Sequence, residues 1–94
     1  MIEQSGGRLC VTVPMVIGNA RALLEAGRSL LAAGSPPLFD LAAVAEADSS
    51  ALALVFAWAR SAQAKGAALR IANPPASMLS LADLYGVSEF LPLA

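Results

Sequence analysis

Phe39-Asp40-Leu41-Ala42-Ala43-Val44, followed by Ala47-Asp48-Ser49-Ser50-Ala51-Leu52-Ala53-Leu54, is the stretch on which the fold turns. Leu38-Phe39-Asp40-Leu41 comes straight after Pro36-Pro37 and is too short for a helix, so it predicts a buried strand. Asp48, Ser49 and Ser50 carry the side-chain oxygens that satisfy free N–H groups at a helix start, and the apolar run behind them ends at Lys65-Gly66. Strand, loop and capped helix in that order make the first half of a βαβ unit.

Working outward, Ala68-Leu69-Arg70-Ile71 completes the unit as a second strand. Asn73-Pro74-Pro75 then predicts a third helix, with Asn as the cap and Pro in the first turn. That helix carries Met78, Leu81, Ala82 and Tyr85 on one side and stops at Gly86, ahead of the tail Phe90-Leu91-Pro92-Leu93. Toward the N-terminus, Leu23, Leu24, Leu30 and Leu31 recur at helical spacing, with Asn19 placed to cap and Gly34, Pro36 and Pro37 to terminate. The alternating run Leu9 to Val13 reads as a strand stopped by Pro14, and Gly6-Gly7 before it implies a short hairpin. The order strand, strand, helix, strand, helix, strand, helix predicts an α/β fold in one domain over residues 1–94. It is a small mixed sheet of about four strands covered by about three helices, the later strands parallel.

Composition narrows the chemistry. With 57% hydrophobic and 14% charged residues in 94, the chain has enough apolar side chains for one small core and lies far from the disordered class. Six Lys and Arg against seven Asp and Glu give a net charge of −1, which predicts no basic face and no nucleic-acid partner. The absence of His and the single Cys remove zinc sites, internal disulfides and the Ser-His and Cys-His nucleophiles, so neither metal, cofactor nor enzymatic activity is expected. Cys10, in an apolar strand, reads as a buried inert thiol. Mean hydropathy is high at +0.67. The longest uncharged runs, Leu9–Ala20 and Ile71–Ala82, nevertheless fall short of the roughly 18 residues that suggest a membrane span. The N-terminus lacks the charged and apolar regions of a secretory signal, which points to the cytoplasm.

The second helix is apolar nearly all round. Leu52, Val55, Phe56 and Ala59 share the core face, while Ser50, Ala53, Leu54, Ala57 and Ser61 lie opposite, with Trp58 at the border. In so small a chain nothing remains to cover that opposite side, so the pattern predicts an exposed apolar patch of the kind that marks partner surfaces. Asp48, Ser49, Ser50, Ala53, Leu54, Ala57 and Trp58 are therefore the candidate partner-binding residues. The Asp48-Ser49-Ser50 group has two readings: an ordinary N-cap, or a hydroxyl open to a partner or to a kinase, with Ser49 as the phosphorylation candidate.

Together these residues resemble the signature of STAS domains, in which an Asp followed by Ser or Thr opens the helix after a buried strand. Ala64-Lys65-Gly66-Ala67-Ala68-Leu69, Leu81-Ala82-Asp83-Leu84-Tyr85-Gly86-Val87 and Phe90-Leu91-Pro92 extend the resemblance over roughly residues 8–92. The C-terminal pattern is similar to the STAS subunits of the Mla phospholipid ABC transporters of Gram-negative bacteria. The resemblance implies the STAS fold, shared with anti-sigma-factor antagonists. It also implies a non-catalytic accessory subunit that binds and supports the transporter's ATPase subunit. Such a subunit meets the permease only through the complex and sits on the cytoplasmic side of the inner membrane, serving outer-membrane lipid asymmetry. In the regulatory branch the resemblance implies instead an antagonist switched by phosphorylation at Ser49. Two positions depart from the pattern: Ala51 stands where many relatives have Gly, which implies a stiffer loop, and the opening strand is short.

Overall fold

Gly6 and Gly7 both adopt positive φ, the conformation a two-residue hairpin turn needs, and they fold β1 (Ile2–Ser5) back on β2 (Arg8–Val11) in the computed structural model, which describes residues 1–94. The pair is antiparallel, with Ile2 opposite Val11 and Ser5 opposite Arg8. β3 (Leu38–Asp40) joins parallel to β2, and β4 (Arg70–Ala72) parallel to β3, giving the sheet order β1-β2-β3-β4. Beyond β4 the tail adds a parallel bridge between Leu93 and Ile71.

Alternation along these short strands separates the two faces of the sheet. Leu9, Phe39 and Ile71 form one row across β2, β3 and β4, and all three are buried. The adjacent row, Cys10, Asp40 and Ala72, is only half-buried. The helices α1 (Ile17–Ala32), α2 (Ser49–Ala64) and α3 (Ala76–Leu84) therefore cover one face, and the other stays open. On that open face Arg8 Nη1 donates to Asp40 Oδ2 at 2.9 Å. Cys10 lies there too, so it is half-buried rather than enclosed in the core.

Each helix stops in the same way. A glycine at positive φ follows the last turn of α1, α2 and α3 in turn: Gly34, Gly66 and Gly86. After α3, Val87 N–H donates to Ala82 O at 2.8 Å and Gly86 N–H to Asp83 O at 3.1 Å, the paired bonds that satisfy final-turn carbonyls. The helix starts differ from the sequence reading. α1 begins at Ile17 and is not capped by Asn19, whose Nδ2 donates instead to Pro14 O at 2.9 Å. Asn73 does not cap α3 either: it turns the chain at φ +52° and donates from Nδ2 to Asp40 Oδ1 at 3.0 Å, and α3 starts only after Pro75. Tyr85, grouped with Met78 and Ala82 by spacing, sits past the last turn of α3 and is 57% exposed while those two are fully buried.

The core is one cluster of 19 buried hydrophobic residues. α2 lies at its centre, flanked by α1 on one side and α3 on the other. This arrangement is the physical reason for its all-round apolar sequence. The side assigned to an open patch is instead covered in part by α1, leaving Leu54 only 3% and Ala57 only 7% exposed while Ala53 stays open. Trp58 is wholly buried. Its indole stacks on Phe39 with ring centroids 4.3 Å apart and lies directly against Gly27 of α1. A Cβ at Gly27 would fall within 2.9 Å of indole atoms Nε1, Cε2 and Cδ1, so α1 approaches this closely only because residue 27 has no side chain.

Gly27→Ala should therefore destabilise the chain by about 1–3 kcal/mol, the usual range for an overpacked core, despite the better helix propensity of Ala. In urea denaturation the penalty should shrink in a Trp58→Phe background, which removes the atoms that clash; an unchanged unfolding midpoint for Gly27→Ala would show that the contact is not tight.

Candidate functional site

The site begins where β2 and β3 end. Past β2 the chain runs beside the segment leading into α2: Met15 N–H donates to Glu46 O at 2.9 Å, and Asp48 N–H donates to Met15 O at 3.2 Å. This parallel bridge sets the first turns of α1 and α2 side by side. The Asp48 carboxylate then serves both helices. Oδ1 accepts from Ser50 N–H at 2.8 Å and from the Ser50 hydroxyl, while Oδ2 accepts from Ile17 N–H, the first residue of α1, at 3.0 Å. The Ser50 hydroxyl bond, then the Ile17 and Ser50 N–H bonds, hold the carboxyl below its ordinary pKa, so it is ionised where two helix dipoles favour negative charge.

Ser49, the first residue of α2, is exposed beside this junction. Ala51, which the family resemblance placed in a loop, is fully buried in the first turn of α2, and its N–H donates to Asp48 O at 3.0 Å.

Behind the two helix starts a groove of about 390 Å³ runs between α1 and α2. Four of the sequence-derived candidates, Ser50, Ala53, Leu54 and Ala57, line it together. Ala53 is exposed on its α2 wall, whereas Leu54 and Ala57 form a floor that is nearly closed to solvent. Trp58 is not part of it, because its ring is directed into the core against Phe39 and Gly27.

The opposite wall was not found from the sequence. It comes from α1: Ile17, Ala20 and Leu24 supply apolar surface, and Arg21 and Arg28 stand at the rim, facing Arg60 of α2. Ile17 is 77% exposed, the most exposed large hydrophobic residue in the chain. A signal is present in the sequence, since Arg21, Leu24 and Arg28 fall on one helical face. The expectation of no basic face is corrected here. Net charge is near zero over the chain, yet three of its six cations gather on this groove, which no Asp or Glu lines. The arrangement offers hydrogen-bond donors, cations and apolar area, the chemistry of recognition.

A family model described as the MlaB-type STAS domain matches residues 4–93. No curated protein matches the sequence. Among solved structures, one described as a candidate anti-sigma factor antagonist from Thermotoga maritima is 12% identical, with a TM-score of 0.74, covering 99% of this chain and 83% of that one. SpoIIAA, an anti-sigma factor antagonist solved in its unphosphorylated form, is 13% identical with a TM-score of 0.66, covering 89% of this chain and 81% of its own. The Bacillus cell fate determinant SpoIIAA in its phosphorylated form is 14% identical with a TM-score of 0.67, covering 100% and 89%. At these identities the likeness establishes a shared fold.

Asp48 and Asp40 both have lowered pKa values, Asp40 chiefly through the Asn73 hydrogen bond and the Ala42 N–H. Lowered folded values mean that each carboxylate stabilises the fold above about pH 4 and loses that contribution as pH falls through its folded value. Asp48→Asn should melt below the wild type at neutral pH, with the gap closing on acidification below about pH 4. A gap constant from pH 7 to pH 3 in thermal melts would show that the charge of Asp48 contributes nothing.

Proposed function

The chain belongs to the MlaB-like STAS domain family, and from that premise we propose that it is a non-catalytic accessory subunit that docks on the ATPase of an ABC transporter for phospholipid trafficking. STAS domains are in general regulatory or accessory modules, and this fold presents a recognition surface. The observation that carries the reading is the family match over residues 4–93, joined to the groove that opens beside Ser49. Binding energy at this surface supports the ATPase. If docking favours one nucleotide state, the subunit shifts the ATPase toward that state by its difference in affinity for the two. The permease is reached through the ATPase, on the cytoplasmic side of the inner membrane. No helix here is long and apolar enough to cross a membrane, in keeping with a peripheral role.

The contact residues follow from exposure. Ser49 and Ala53 are exposed, and Ser50 and Asp48 half-buried, at the groove's open end. Leu54 and Ala57 act as the floor beneath the docked segment, and Trp58, buried in the core, takes no direct part.

A second reading is favoured by one feature: Ser49 stands exposed at a helix start, on a fold shared with anti-sigma factor antagonists, one of them solved phosphorylated. In that reading phosphorylation of Ser49 releases a kinase partner. A phosphate there would gain from the helix N-terminus and suffer repulsion from ionised Asp48.

Co-expression with the ATPase subunit of the same organism's phospholipid ABC transporter separates the two readings. The accessory reading expects a complex on size exclusion that is weakened by Ser49→Arg and Ala53→Arg. Both substitutions are on exposed positions and should leave the melting temperature nearly unchanged. Absence of that complex, with phosphate incorporated at Ser49 by a cognate kinase, would establish the switch instead.

A further inference from the structure

The groove says something about what fills it. It is a shallow, open trough with apolar side chains along its floor and walls. Its rim carries Arg21, Arg28 and Arg60, and the chain's one ion pair joins Arg8 to Asp40 on the far side of the sheet. All three rim guanidiniums are therefore without a carboxylate partner. Glu25, on α1 between Arg21 and Arg28, lies outside the groove lining and within ion-pair distance of neither. Toward the C-terminal ends of the helices the groove continues past Arg28 into a hollow of about 290 Å³ that ends at Lys65, a further unpaired cation.

We propose that this groove seats an acidic amphipathic helix of the ATPase subunit. The proposal rests on the accessory-subunit reading and deepens it by giving the partner segment a chemistry. Arg21 and Arg28 are seven residues apart on α1, a span of roughly 10 Å, which matches carboxylates two turns apart on an incoming helix. An apolar row at i, i+3 or i+4, and i+7 on that helix would lie against Ala20, Leu24 and Ala53, apolar lining residues that remain at least partly open to solvent. Guanidinium is suited to this task because its planar donors engage a carboxylate in pairs. A membrane surface fits less well, since only Ile17 projects from the groove as an apolar knob.

The test measures affinity of the purified chain for that ATPase subunit at low and high salt. Arg21→Glu with Arg28→Glu should weaken binding by at least roughly tenfold, with a steeper loss than Arg28→Lys alone, and wild-type binding should fall as salt rises. Arg70→Glu, on the open face of the sheet, is the control and should bind as wild type. Reversal of an acidic pair on the ATPase should restore binding to the double variant. Wild-type association that ignores the Arg21 and Arg28 reversals would overturn the acidic-helix proposal and leave the accessory reading standing, whereas no wild-type association would overturn both. Vesicles containing phosphatidylglycerol that capture the wild type but not the reversed variant, with ATPase binding intact in both, would assign the cations to a membrane and overturn it. Self-association of the chain that disappears in the same variants would assign the groove to a second copy, also against the proposal.

Discussion

One carboxylate joins the two halves of the helical layer. Asp48 caps α2 locally through Ser50 and accepts from the first N–H of α1, a residue 31 positions earlier. A local cap could have been supplied by Ser or Asn equally well. Reaching a second helix at the same time calls for two acceptor oxygens and a full charge, and Asp at this position has both. The bond also explains why α1 starts at Ile17 without a side-chain cap of its own. The strand ends, the parallel bridge at Met15 and Ala47, and the shared carboxylate together fix the relative position of the helix starts, and with it the mouth of the groove.

Further along, the separation of the helices is set by a different contact. Trp58 fills the space between α1 and β3, and Gly27 lets the α1 backbone close down on the indole. Its Nε1 is buried without a hydrogen-bond partner, a cost accepted where the ring is large enough to bridge both layers. Above this contact several of the facing side chains are small. Ala20, Ala53 and Ala57 do not fill the space between the helices, and the groove is the volume they leave. A core that is tight below and a surface that is underfilled above come from the same pair of helices.

Much of this was legible in the sequence and part was not. The βαβ order, the Asp48 cap and the glycine stops depend on local signals, namely short apolar runs, oxygen-bearing caps and residues that tolerate positive φ, so they could be read directly. Asn19 and Asn73 were misread as caps because each satisfies a longer-range acceptor, Pro14 O and the Asp40 carboxylate, which spacing alone does not reveal. Leu54 and Ala57 were expected to be open, with Trp58 at the border, because nothing in so small a chain was expected to cover the second side of α2; the helix has the sheet beneath it and a helix on either side. The α1 wall of the groove escaped because its arginines become significant only once α2 is beside them. Overall charge balance hid them as well, since a net charge carries no information about position.

The apolar surface left on this chain divides into two zones of different character. Around the end of α3 and the short 3-10 turn Ser88–Phe90, the side chains of Leu84, Tyr85 and Phe90 are 75%, 57% and 64% exposed, in a segment that also carries Asp83 and Glu89. That zone is acidic and projecting, whereas the α1–α2 zone is cationic and recessed, so in principle one copy could dock its α3 end into the groove of the next. Such a contact joins unlike surfaces and therefore repeats without limit unless its geometry closes a ring, the route to filaments. A small apolar domain avoids that outcome most simply if its recessed surface is taken by a different chain. Under the proposed docking, a different chain seated in the groove would also block this contact between copies.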